Sequence, residues 1–94
     1  MTYELEFDPR ALKEWHKLGA TVRDQFKKKL SEVLKHPRIE ANRLRELPDC
    51  YKIKLRKAGY RLIYQVQDEK VLILVLAIGK RNKSEAYNDA EKRV

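Results

Sequence analysis

The sequence holds one cysteine, two histidines, three glycines and three prolines in 94 residues. Each scarcity removes a class of protein. A lone thiol, Cys50, cannot close an internal disulfide, which excludes a disulfide scaffold and suits a reducing cytoplasm. Its place beside a strand makes it a buried thiol rather than a nucleophile. His16, His36 and Cys50 lack any ligand spacing, so neither a metal nor a cofactor is expected. No glycine-rich phosphate loop and no Ser–His–Asp nucleophile motif is present. The longest apolar run, Val71 to Ile78, is far too short to cross a bilayer. Glu4, Glu6, Asp8 and Arg10 interrupt any signal peptide. There are no repeats, linkers or low-complexity tracts, and the length supports one domain over residues 1–94.

What the chain has in quantity is positive charge. Lysine and arginine number 22 against 14 acidic residues, a formal net charge of +8. Such a surplus favours polyanionic partners and electrostatically steered encounter.

The hydrophobic pattern gives an α+β chain ordered β-α-α-β-β-β-α. Tyr3, Leu5 and Phe7 alternate with polar residues as a short strand. Asp8-Pro9 starts a helix with Leu12, Trp15 and Leu18 as its apolar stripe, ending at Gly19. Thr21 with Asp24 resembles a capping box for a second helix. In that helix Val22, Phe26, Leu30, Val33 and Leu34 follow helical spacing up to His36-Pro37. The connection between the two is short, which predicts an antiparallel helical hairpin packed on one face of an antiparallel sheet. A helical turn is expected within Ile39 to Leu44. Ser84 is a candidate N-cap for a last helix, Glu85 to Lys92, whose thin face of Ala86 and Ala90 predicts weak attachment.

The chain is organised around residues 51–81. Apolar and basic residues alternate in Tyr51-Lys52-Ile53-Lys54-Leu55-Arg56, the period of a half-buried strand. Tyr60 to Val66 runs back. A two-residue loop at Ala58-Gly59 would set Leu55 opposite Leu62 and Arg56 opposite Arg61. Lys52, Lys54, Arg56 and Arg61 then share one face, and Tyr51, Ile53, Leu55, Leu62 and Tyr64 the other. Cations joined by an aromatic side chain, here Tyr87, match what recognition of single-stranded RNA uses. The bland alternative is a solvated sheet face.

Five stretches resemble the RelE family of ribosome-dependent mRNA endonuclease toxins, within the RelE/ParE toxin superfamily. They are residues 11–15 (ALKEW), 37–42 (PRIEAN), 48–56 (PDCYKIKLR), 59–62 (GYRL) and 79–81 (GKR). The resemblance covers essentially the whole chain and implies a RelE-like fold. It implies a type II toxin that cuts mRNA in the ribosomal A site by attack of the 2′-hydroxyl, without a metal. The family's catalytic set maps onto Lys52, Lys54, Arg61, Arg81 and Tyr87, none of them substituted. Lys54 would be the base, its pKa lowered by neighbouring cations. Lys52 would hold the phosphate, Arg61 would stabilise transition-state charge, and Tyr87 would stack on a base. The family assigns Arg81 as general acid; arginine holds its proton firmly, and the alternative is that it stabilises the leaving oxygen while solvent supplies the proton. Arg45, Arg56, Lys13, Lys17, Arg23, Lys27, Lys28 and Lys29 would bind mRNA and 16S rRNA of the 70S ribosome. Implied partners are a RelB-type antitoxin that wraps the toxin and displaces the last helix, and operator DNA bound only together with that antitoxin, as a repressor. Two other readings stand beside this one: a ParE-like toxin of the same fold acting on gyrase, and a non-catalytic RNA-binding protein.

Overall fold

A computed structural model describes residues 2–80 and 85–94. The elements run β1 (Glu4–Phe7), α1 (Pro9–Lys17), α2 (Ala20–Val33), β2 (Cys50–Leu55), β3 (Tyr60–Gln67), β4 (Leu72–Lys80) and α3 (Glu85–Arg93). Two 3₁₀ turns, Glu40–Asn42 and Asp68–Lys70, lie in the connections. Ser84, the expected cap of α3, and Arg81 lie outside the described residues.

The strands form one sheet in the order β1-β4-β3-β2. β2, β3 and β4 pair antiparallel, as their short connections require. β1 joins the far edge in parallel with β4, from Glu4 opposite Leu72 to Phe7 opposite Val75, so the sheet is mixed rather than wholly antiparallel. The helical hairpin connects β1 to the rest of the sheet.

Asp8 caps α1 by accepting the backbone N–H of Arg10 at 2.9 Å. The buried stripe of the first helix is Ala11 and Trp15, continued by Leu18; Leu12 is turned outward and is 40% exposed. A 3.6-residue period permits either phase, and the rings of Phe7, Trp15 and Phe26 select this one by packing in series. The second helix starts at Ala20 with Gly19 as its N-cap, so Thr21 is already inside the helix and forms no capping box.

The main core lies between the helical hairpin and one sheet face. Trp15, Phe26, Leu30 and Val33 meet Tyr51, Ile53, Leu55, Leu62, Tyr64 and Val75 there. This is the apolar face that strand alternation predicts. Tyr64 is fully buried, stacks on Tyr51 and donates its hydroxyl to the Pro37 carbonyl at 2.8 Å. Replacing it as Tyr64→Phe should cost about 1–3 kcal/mol by orphaning that carbonyl. Urea denaturation would measure this through a shifted midpoint at unchanged slope. A change below about 0.5 kcal/mol, within the range of an unremarkable surface substitution, would contradict it.

The opposite sheet face carries a second, smaller core. Leu47, Cys50, Ile63, Leu76 and Ala77 pack under Ala86 and Ala90 of α3. A β-bulge makes this seat: Ile63 pairs with Ala77 and Tyr64 with Val75, leaving Leu76 as the extra residue. Two consecutive side chains, Leu76 and Ala77, therefore join the same cluster. The last helix is more firmly attached than its apolar face suggests. Ala86 and Ala90 are 1% and 0% exposed, and Arg93 bonds the Leu76 carbonyl at 2.7 Å and Glu14 of α1.

Candidate functional site

Lys52 and Lys54 lie on β2, an edge strand, and Arg61 on its neighbour β3. Lys54 stands directly opposite Arg61, and Lys52 opposite Ile63. Leu55 pairs with Tyr60, so the register differs by two residues from the one a two-residue loop would give. The connection is four residues long, Arg56 to Gly59, and the Gly59 N–H donates to the Leu55 carbonyl at 2.8 Å. The reason is steric. A tight hairpin loop would need positive φ at Ala58, whereas here the only left-handed position in the loop, φ +74°, falls on Gly59. A two-residue offset leaves the faces unchanged, so Lys52, Lys54 and Arg61 still share one. Arg56 does not join them; it lies in the turn and is exposed.

The Lys54–Arg61 pair concentrates positive charge at one point of the sheet, where an anion is favoured. Arg61 adds a second sign of this. Its Nε is buried and has no hydrogen-bond partner among the described residues. A buried donor without an acceptor is unfavourable unless a ligand supplies one. On the other side of Arg61 the sheet presents Gly79, which adds no side chain to the face.

The open edge of β2 borders two cavities. One, of about 460 Å³, lies between α2, the Glu40–Asn42 turn and β2, and is lined by Lys29, Val33, Ile39, Lys52, Lys54 and Arg56 among others. The next, of about 510 Å³, is lined by Gln25, Lys28, Lys29, Lys54, Arg56 and Lys57 with Leu55. Lys29, Lys54 and Arg56 are common to both. The fold thus brings Lys28 and Lys29 of α2 and Arg56 of the turn to cavities that Lys54 also lines. Lys13, Lys17 and Lys27 are exposed and Arg23 half-buried, but none lines either cavity. Arg45 lines a separate cavity with Glu40, Ala41 and Arg43.

Tyr87 is half-buried and packs against the cluster that includes Cys50 and Ile63. Cys50 lies on the same strand face as Lys52 and Lys54, so the ring borders one end of the cation row. Its hydroxyl donates to Glu46 Oε2. The Glu46 carboxylate, together with smaller contributions from desolvation and Glu91, pushes the phenol pKa up to about 12 and keeps it protonated. Burial, reinforced by Asp49, likewise pushes the Cys50 thiol up to about 11, which leaves it unreactive at neutral pH.

Glu46, Glu14 and Arg93 have no signal in the sequence. Each acts through a partner 41 to 79 residues away. Among the described residues no group of three His, Cys, Asp or Glu side chains could hold a metal ion, and no helix is long and apolar enough to cross a membrane.

Residues 5–85 match the family described as the ParE toxin of the type II toxin–antitoxin system parDE. The mRNA interferase toxin RelE of Escherichia coli strain K12 is 67% identical over 94 residues, covering 100% of this chain and 99% of that protein. This chain belongs to the RelE/ParE family of type II toxins. Among solved RelE structures, an arginine-to-alanine double mutant of E. coli RelE in the free state matches 100% of the chain and 99% of its own, at 66% identity and a TM-score of 0.93. The toxin in the intact E. coli RelBE toxin–antitoxin complex matches 83% of the chain and 95% of its own, at 70% identity and a TM-score of 0.81. This RelE-family member thus has the toxin fold throughout its described residues.

Proposed function

We infer that this toxin is an mRNA interferase: a metal-independent endoribonuclease that cuts mRNA in the ribosomal A site. One observation carries the reading. Lys54 faces Arg61 across two paired strands, and Arg61 keeps a buried N–H without an acceptor among the described residues. That is a seat for a phosphate.

In the proposed mechanism the Lys54 amine takes the proton of the 2′-hydroxyl. The 2′-oxygen attacks the adjacent phosphorus and forms a 2′,3′-cyclic phosphate. The P–O5′ bond breaks and the 5′-oxygen takes a proton from solvent, leaving as a hydroxyl. Lys52 and Arg61 bind the phosphate and the charge that grows on it. Arg81 stabilises the leaving oxygen, and Tyr87, neutral under its bond to Glu46, stacks on a base. Lys28, Lys29 and Arg56 continue the phosphate track, while Lys13, Lys17, Arg23, Lys27 and Arg45 dock ribosomal RNA. A RelB-type antitoxin is the natural inhibitor, and operator DNA is bound only with it. The setting is cytoplasmic. A gyrase-directed toxin of the same fold would have no use for the Lys54–Arg61 seat.

Ribosome dependence is the test. Among the described residues the strand face that carries Lys52, Lys54 and Arg61 holds no His or carboxylate, and Glu32 reaches the adjoining cavity only from α2, so catalysis draws on an mRNA already held in a reactive shape. Purified toxin should cut mRNA on programmed ribosomes at least about 10²-fold faster than the same mRNA free in solution. Equal rates on both substrates would sink the proposal.

A further inference from the structure

The span from residue 79 to residue 92 carries Tyr87, and both of its ends are held by one carboxylate oxygen. Glu14 Oε1, on α1, accepts the backbone N–H of Ile78 at 3.0 Å and Nη1 of Arg93 at 3.0 Å. Its Oε2 accepts Nη2 of Arg93 at 3.2 Å. Arg93 Nη1 also donates to the Leu76 carbonyl at 2.7 Å, and Nη2 lies 3.7 Å from Asp89 of the same helix. The arginine side chain is 9% exposed and the glutamate 24%.

An ion pair so far out of water is a poor adhesive. Apolar side chains of similar volume would attach α3 to the sheet at least as strongly. What the pair supplies is direction. A guanidinium fork and a carboxylate fit in one geometry, whereas the small faces of Ala86 and Ala90 would let the helix slide or roll. The point of attachment also bears on the cation row. Ile78 pairs with Leu62, one step before Gly79 pairs with Arg61. One carboxylate therefore fixes the strand end beside Arg61 and the last turn of the helix that bears Tyr87.

We propose that Glu14, acting through Arg93, is a positioning residue of the cleavage reaction: it ties the end of β4 and the last turn of α3 to α1 and so sets where the Tyr87 ring lies relative to Arg61. It touches no substrate. The proposal rests on the reading of Tyr87 as part of the active site.

Single-turnover cleavage on programmed ribosomes, with toxin varied in excess, tests it by separating the saturating rate from the half-saturating concentration. Glu14→Ala and Arg93→Ala should each lower the saturating rate by about 10- to 100-fold, as displaced reacting groups do. Half-saturation should stay within about threefold of the parent, because the docking cations are untouched. The double variant should be no slower than the slower single one, since the two residues act as a unit. Thermal melts would fix an assay temperature at which every variant is folded. A merely structural role predicts a lower melting temperature with an unchanged saturating rate, and that result, or a loss confined to half-saturation, overturns the proposal. Should Glu14→Ala fail to fold, Arg93→Lys decides the matter. It keeps the charge and loses the fork, so a slowed saturating rate supports the proposal and the parental rate rejects it. Tyr87→Ala is run alongside. A parental rate there removes the reading on which the proposal rests, whereas a slow Tyr87→Ala beside an unaffected Glu14→Ala removes the proposal alone.

Discussion

Lys54→Ala should slow single-turnover cleavage by about 10²- to 10⁴-fold, the range that a positioned proton acceptor contributes. Binding to the ribosome should stay within about threefold, since one edge-strand lysine is a small part of the phosphate contacts available to a chain of net charge +8. Thermal melts of the variant would fix an assay temperature at which it is folded, so that the loss is read on intact protein. A catalytic collapse in a variant that is still folded is the signature to look for. Neutralising Lys27, Lys28 and Lys29 together should do the reverse. Their charge lies on the helix surface, so binding should weaken and its dependence on the logarithm of salt concentration should flatten, by about 2 if all three contact phosphates. The saturating rate should change little. If Lys54→Ala cuts at the parental rate once ribosomes are saturated, the cation row is a docking surface and the base lies elsewhere.

Substituting hydrogen for the 2′-hydroxyl of the nucleotide that is cut should abolish the reaction. Among the described residues the sheet face offers no activated nucleophile. Cys50 is buried with its thiol held protonated, and Tyr87 keeps its proton in a hydrogen bond to Glu46. In the proposed chemistry the attacking oxygen is the RNA's own 2′-oxygen. Uncut message should remain through the longest single-turnover time, and the products of ordinary mRNA should carry a 2′,3′-cyclic or 3′-phosphate and a 5′-hydroxyl. Cleavage of the deoxy substrate, or 5′-phosphate ends, would require water as the nucleophile and would rule out the proposed chemistry.

Much of this architecture is legible in the sequence because one-dimensional periods carry it. Alternation places Tyr51, Ile53 and Leu55 in the core and Lys52 and Lys54 opposite, and Asp8-Pro9 marks the start of α1. Period alone fixes a face but not a phase, which is why Leu12 reads as core and is in fact exposed while Ala11 is buried. Register depends on the loop. The chain avoids a left-handed Ala58 by taking a four-residue turn, and this moves Lys54 opposite Arg61 and removes Arg56 from the strand face. Pairings between distant segments leave no local trace. Nothing around Glu4 to Phe7 announces a parallel partner in β4. Nor does any spacing link Glu46 to Tyr87 or Glu14 to Arg93. The seat of α3 is hidden for the same reason, since it depends on a bulge that turns Leu76 and Ala77 to one side.

The parallel pairing of β1 with β4 has a consequence for the order in which the toxin comes into being. Residues 4–7 leave a ribosome well before residues 72–75, which are their strand partner among the described residues. A nascent chain that stops short of β4 holds an unpaired first strand and a two-stranded ribbon, and neither is stable in water. Contacts so distant along the chain also form late in folding. Tyr87 is synthesised after all of them. Vectorial synthesis therefore yields no fragment with a working site until both β4 and Tyr87 have been made.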